Sequence, residues 1–295
     1  MIRAILSILF LAALLLIPAR AVQMNGSFDT TAPTNSDIAN WTTGWGAPGV
    51  TGWNYVGQIG GGASGVYVGN GWVMTAAHVG AGTFVVDGGT YLAVPGSTRS
   101  ISDSNGTADL VLFQIATSPT LPPLTLSLNP PTAFSQTQPG SSVVMLGFGS
   151  GGLGETWGVD HVSLTNILIN PQSTSYFSND FITVNGTFND GAANSINNST
   201  LVGGDSGGAD FLFNATTQTW ELTGINEVTG SGTLSPQDNP GDVQSVTLSG
   251  MVQVNTYQSQ IQSIMASDAP EPATWVLFSV GLVCLWLCFL RRRSV

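Results

Sequence analysis

Three segments of this chain carry side chains suited to nucleophilic chemistry. Ser206 lies in LVGGDSGGADF (Leu201 to Phe211), with two glycines before Asp205-Ser206 and two after. Glycines on both sides suit a tight, exposed turn with the serine at its tip. A hydroxyl alone is a poor nucleophile, so the chain must also supply a base and a group to orient that base. There are two histidines. His78 follows TAA in NGWVMTAAHVG, at the foot of a short apolar run, whereas His161 sits in GVDHVSLTNILI, where alternation from Val159 to Ile169 reads as a half-exposed strand. His161 therefore reads as a hydrogen-bonded structural residue. Asp109 heads TADLVLFQI. A carboxylate at the mouth of an apolar run is costly to bury unless a charge or hydrogen bond compensates it. An imidazole N–H is one such group; a turn that caps the strand entry is the other reading.

The elements that must hold these residues read as strands. Trp72 to Met74 form the end of a buried strand, and Leu110 to Ile115 a core strand. The sequence has 37 Gly among 295 residues, abundant Asn, Ser and Thr, and no Lys. Such a composition suits short strands joined by many turns, an all-β fold. Near the end, Val254, Tyr257, Ile261 and Ile264 recur at helical spacing.

TAAHV, DLVLFQI and GGDSGG, in that order, resemble the chymotrypsin-like (trypsin-type) serine proteases. GGASGVYVGNGWVMTAAHV is similar to that family's strand pair leading to the histidine. VVMLGFG (Val143 to Gly149) is similar to its strand ending in Gly-aromatic-Gly, and WELTGI (Trp220 to Ile225) to the strand after the nucleophile. The resemblance runs from about Trp53 to Met265 and implies two antiparallel six-stranded β-barrels with a short C-terminal helix. It implies Ser206 as nucleophile, His78 as general base and Asp109 as the acid that fixes the imidazole tautomer. The backbone N–H groups of Gly204 and Ser206 would face the developing oxyanion, a contribution of about 3–4 kcal/mol per donor. Thr200, six residues before Ser206, would stand at the floor of the substrate pocket, and a neutral floor argues against selection of Arg or Lys. The substrate is a protein or peptide, with no cofactor.

The match departs from the family in two respects. Val79 and Val202 stand where many members have cysteines, so apolar contacts must replace those disulfides. Family zymogens are cut to expose a new N-terminal Ile or Val, whose ammonium pairs with the aspartate before the nucleophile, here Asp205. No Arg or Lys lies between Ala21 and Arg99 to mark such a cut. The segment Val22 to Gly52 is a propeptide or an extra strand and loop.

Both ends carry addressing signals. Arg3, the apolar run Ala4 to Ile17 and Ala19-Arg20-Ala21 read as a secretory signal peptide over residues 1–21. The protease-like domain spans 53–266 and a tail 267–295. In the tail, Pro270-Glu271-Pro272 precedes an apolar run, 273–290, long enough for a transmembrane helix, and then three arginines. That order resembles a PEP-CTERM sorting signal. It implies an exosortase as processing partner, anchoring in the inner membrane before processing, and the surface or matrix of a Gram-negative bacterium afterwards. Of 17 acidic residues only Glu271 lies outside Val22 to Ala269, leaving sixteen against Arg99 alone, a net charge of −15. Such a surface excludes nucleic acid as a partner, because a phosphate backbone needs cations. Both cysteines, Cys284 and Cys288, fall in the tail, and no clustered metal-ligand motif occurs. Besides an exported endopeptidase, two alternatives stand: a catalytically inactive protease-like binding module, and a structural protein of an exopolysaccharide matrix.

Overall fold

The computed structural model describes residues 22–24, 27–133, 140–149, 154–169, 173–179, 181–184, 187–190, 199–234 and 244–267. The expected signal peptide up to Ala21 and the expected spanning helix 273–290 lie outside them. Among the described residues no helix is long and apolar enough to cross a membrane.

A short strand β1 (Gln23–Met24) opens the chain, and a 3-10 turn (Gly52–Asn54) leads into the first half. That half comprises β2 (Val56–Ile59), β3 (Ala63–Gly69), β4 (Trp72–Thr75), β5 (Phe84–Val86), β6 (Gly89–Tyr91), β7 (Arg99–Asp103) and β8 (Gly106–Gln114). They form one sheet in the order β6-β5-β2-β3-β4-β8-β7. Two of its hairpins follow directly from sequence. Asn70-Gly71 joins β3 to β4 and Asp87-Gly88 joins β5 to β6, all four residues with positive φ (53°, 79°, 49° and 73°). Both central positions of a two-residue hairpin loop need that conformation, and Asn or Asp followed by Gly supplies it at least cost.

The second half comprises β9 (Ser142–Gly147), β10 (Thr156–Ile169), β11 (Ser173–Asn179), β12 (Phe181–Val184), β13 (Thr187–Asp190), β14 (Ser199–Thr200), β15 (Ala209–Asn214), β16 (Thr219–Leu234) and β17 (Gln244–Gln253). Six of these strands close a barrel in the order β10-β11-β17-β16-β15-β9. β12 and β13 form a separate hairpin, and β14 pairs with β1. The helix α1 (Val254–Ser267) follows at once, burying Val254, Tyr257 and Ile261.

One closed six-stranded barrel therefore stands where the resemblance implies two, and the N-terminal half is a curled seven-stranded sheet. Its strands β5 and β6 have three residues each, too short to carry a ladder round the sheet. After β6 the chain returns to the end of β8 through one bridge, Ala93 with Ile115. Two bonds flank it, Val94 N–H to Gln114 O (2.8 Å) and Ala116 N–H to Leu92 O (2.9 Å). The sheet curls on itself without a continuous seam.

The segment before the 3-10 turn is part of the core. Trp41 is fully buried and Trp45 nearly so. Trp45 stacks on Trp220 of β16 (5.4 Å, 6°) and meets Phe211 of β15 edge-on (4.9 Å, 86°), while Trp41 makes an edge contact with Trp220 at 5.1 Å. Aromatic pairs in these arrangements add about 0.5–1.5 kcal/mol each beyond area burial. Val79, in one of the positions where a cysteine is absent, packs against this core instead.

Candidate active site

His78 stands in the turn after β4, whose four residues are all buried. The burial anchors the strand end and leaves the imidazole half-exposed at the surface. Asp109 enters from β8, the neighbour of β4 in the sheet, where Thr75 pairs with Val111. Register alone thus brings the residue after TAA beside the aspartate before LVLF. The contact is bidentate: His78 Nδ1 lies 2.6 Å from Asp109 Oδ2, and the His78 backbone N–H donates to Oδ1 at 2.9 Å. Burial pushes the Asp109 carboxyl up, but the hydrogen bonds from His78 and the imidazole's charge outweigh it, and the net shift is downward. The His78 pKa is raised, first by that hydrogen bond, against an opposing effect of burial. An ionised carboxylate at Nδ1 leaves Nε2 as the nitrogen open to a proton from outside.

Ser206 sits on the turn between β14 and β15. Two bonds tie this turn to the first half, and a third fixes the residue that makes them. Ser64 N–H of β3 donates to Ser206 O (2.9 Å), Ser64 Oγ donates to Gly204 O (3.1 Å), and Thr75 Oγ1 donates to Ser64 O (2.7 Å). Thr75 is three residues before His78, so the serine turn and the histidine turn share one anchor. Gly207 (φ 86°) packs so closely on Ser64 O and Thr75 Oγ1 that any Cβ there would collide with both. The close approach of the two halves requires glycine at this position. Among the described residues no hydrogen bond joins the Ser206 hydroxyl to His78.

The amides of the turn divide into two sets. Asp205 N–H donates to Val202 O (3.1 Å), Gly207 N–H to Asn226 O (2.8 Å) and Gly208 N–H to Asp205 O (2.9 Å). Those of Gly204 and Ser206 have no protein acceptor among the described residues. Two unspent donors two residues apart, one of them the serine's own amide, are what a developing oxyanion would need. Thr200 is part-buried on β14, paired with Gln23 of β1, and its hydroxyl faces Leu201 O (3.3 Å) and Ser249 Oγ (3.4 Å).

Asp205 is fully buried. Val202 N–H donates to its Oδ2 at 2.9 Å, and the amides of Val22 and Gly149 also face the carboxylate, yet Oδ1 has no partner at full hydrogen-bond geometry. Gly147 lets it approach the end of β9, since a side chain there would overlap the carboxylate. Burial drives the pKa of Asp205 well up, and no cationic side chain pairs with it among the described residues. Val22 itself has no exposed surface and packs with Val143, Met145, Val162, Tyr176, Leu201 and Met251.

Sequence reasoning missed Ser64, Asn226 and Glu227. Asn226 braces the serine turn: its N–H and C=O bond Gly208 and Gly207, and its Nδ2 donates to Leu146 O at 2.9 Å. The one signal in sequence is a pair of polar residues, Asn226-Glu227, interrupting an apolar strand. His161 is part-buried on β10 between Ser142 and Asn179, and burial lowers its pKa. Among the described residues no cluster of metal-ligating side chains occurs.

Solved structures similar at a low level include the Rv3671c protease in its inactive form (16% identity, TM-score 0.42, covering 72% of this chain and 89% of that one) and in its active form from M. tuberculosis (18%, 0.41, 71% and 81%). No curated protein matches the sequence. The sequence does match the Trypsin family over residues 45–250, a span that begins within the tryptophan-rich segment and ends on β17, enclosing His78, Asp109 and Ser206. With most of its length covered, the chain belongs to the trypsin family.

Proposed function

We propose that the protein is an exported serine endopeptidase that hydrolyses peptide bonds through Ser206, His78 and Asp109. The observation that carries this reading is the clamped His78–Asp109 pair, 2.6 Å at Nδ1, standing across the Ser64 anchor from the serine turn. In the reaction Ser206 Oγ attacks the scissile carbonyl carbon and its proton passes to His78 Nε2. Asp109 holds the imidazolium that forms. The carbonyl oxygen, now an oxyanion, takes the Gly204 and Ser206 N–H groups. His78 then gives its proton to the leaving amine, and an acyl-enzyme remains. Water, deprotonated by His78, attacks the ester; the acid product leaves and Ser206 recovers its proton. Thr200 belongs to the substrate side of this cleft. The closed barrel and the curled seven-stranded sheet take the places of the two barrels of the trypsin-type fold.

Export and activation are one event in this reading. Removal of residues 1–21 after Ala19-Arg20-Ala21 makes Val22 the first residue, and Val22 already lies buried beside Asp205. The backbone N–H facing the carboxylate becomes an ammonium, the cation that Asp205 lacks. The segment 22–52 is then neither propeptide nor spacer but the structural arm that delivers this end. The tail 267–295 directs the enzyme through an exosortase to the cell surface or matrix. The test is labelling with a fluorophosphonate probe: the wild type labels, while Ser206→Ala and His78→Ala do not. A folded, leader-free wild type that fails to label sinks the proposal.

A further inference from the structure

A second acidic side chain lies behind the His78–Asp109 pair. Asn226 of β16 pairs with Met251 and Val228 with Gly250, so Glu227 is the extra residue where the ladder slips. A bulge of this kind re-aims one side chain. Glu227 is 5% exposed, and Ser175 Oγ donates to its Oε2 at 2.9 Å. The Ser173 hydroxyl also faces the carboxyl. The same Ser173 Oγ accepts the Asp109 N–H at 2.8 Å, so a single hydroxyl stands between Glu227 and the residue that holds the base. Oε1 is buried without a partner among the described residues. The titratable groups facing Glu227 are Asp109 and His78 from the first half and Tyr257 from α1. Burial pushes its carboxyl up to about 7; the serine hydroxyls and His78 oppose that shift, and Asp109 adds to it.

We propose that Glu227 is a positioning residue for the base, a buried carboxyl group whose charge state sets how readily His78 takes and holds a proton. The proposal rests on the reading of His78 as general base. No proton passes between the two; they act on each other through charge. Ionised, Glu227 adds a second negative charge behind Asp109 and favours the imidazolium, which helps once Ser206 has given up its proton. The same charge keeps His78 protonated to higher pH in the free enzyme and so delays the base. Neutral, Glu227 leaves that task to Asp109 alone. The two groups titrate as a coupled pair, and the acid limb of kcat/KM belongs to both.

The test is an NMR titration of the His78 imidazole in the mature protein carrying His161→Gln, which leaves His78 as the sole histidine. It compares Glu227, Glu227→Gln and Glu227→Asp. Gln keeps the shape and the Ser175 contact but removes the charge; Asp keeps the charge and shortens the side chain. The expected result is a His78 titration displaced to lower pH in Gln and near that of Glu227 in Asp. The acid limb of kcat/KM moves with it, a gain of up to several-fold for Gln near pH 7 that fades towards pH 5, where Glu227 is itself neutral. A structural role predicts the reverse, with Gln like the parent and Asp displaced, and that outcome overturns the proposal, as does superposition of all three curves. The titration needs no turnover, so a protein that fails to label with fluorophosphonate would refute the protease reading separately. If Glu227→Gln does not fold, the Asp variant alone decides: a displaced His78 midpoint refutes the proposal.

Discussion

Asp109 and Asp205 each stand beside a member of the proposed triad, one against the base and the other next to the nucleophile in sequence, yet their environments push them in opposite directions. Asp109 is part-buried and faces an imidazole, and hydrogen bonds hold its carboxyl below the usual range. Asp205 is fully buried, its hydrogen-bond donors are backbone amides, and burial, with a smaller push from the Asp210 carboxyl, drives it well up. The difference follows from the partner each can find. An amide donates a hydrogen bond without carrying a charge, so three of them do not offset the loss of water. The partner of Asp109 is a side chain present in every form of the protein. That of Asp205, in the reading above, is a chain end that must first be made.

The largest effect should come from breaking the triad side of this comparison. Ser206→Ala or His78→Ala should lower kcat on a peptide substrate by about 10⁶-fold, and the double variant should be little worse, because the two groups act as a unit. Asp109→Asn should cost about 10⁴-fold, since an amide can hold the wrong tautomer. Steady-state kinetics with active-site titration checks each value.

Next is the arm that delivers Val22. Trp41→Ala should destabilise the fold by about 3–5 kcal/mol, the range for emptying a large aromatic site, as measured by urea denaturation. A loss near zero would show the arm to be dispensable and would undo the contrast drawn for Asp205. Forms of the protein with one or two residues retained before Val22 should then fold normally but turn over about 10²–10³-fold more slowly, the scale of losing an oxyanion donor. Equal rates for the retained and trimmed forms would mean that Asp205 needs no cation.

The smallest effect tests whether burial without a charged partner raises an acid elsewhere in the same barrel. Asp210 is fully buried, Tyr176 Oη donates to its Oδ2 at 2.8 Å, and burial raises its pKa from 3.8 to about 8. The native state therefore keeps a proton that the unfolded chain gives up above about pH 4. Stability from this group is full below that pH and is lost as pH rises towards 8. Asp210→Asn should flatten the fall in melting temperature between about pH 4 and pH 8, and an unchanged slope would assign that fall to other groups.

Much of the architecture was legible because the signals are local. Four consecutive buried residues at Trp72–Thr75, the apolar run of β8 and the helical spacing from Val254 each report burial through a short periodicity. Asn70-Gly71 and Asp87-Gly88 mark hairpins by backbone conformation alone. Closure was not legible: whether a sheet becomes a barrel depends on strand lengths and on where the last strand meets the first, and short β5 and β6 leave the first half open. Glu227 was missed for a related reason, since a bulge reverses which side of the strand a residue faces.

The sequence by itself determined the chemical kit: one serine in a glycine turn, a histidine after TAA, an aspartate before LVLF, and Arg99 as the one Arg or Lys between Val22 and Ala269. Those features depend on residue identity and near neighbours, which a linear chain displays in full. Tertiary structure decided which groups meet. It set His78 against Asp109 through the pairing of β4 with β8, brought Val22 to Asp205 across about 180 residues of chain, and turned Glu227 in behind the base. Such contacts are made by packing between distant segments, and pairing registers and bulges fix them only once the whole fold is assembled.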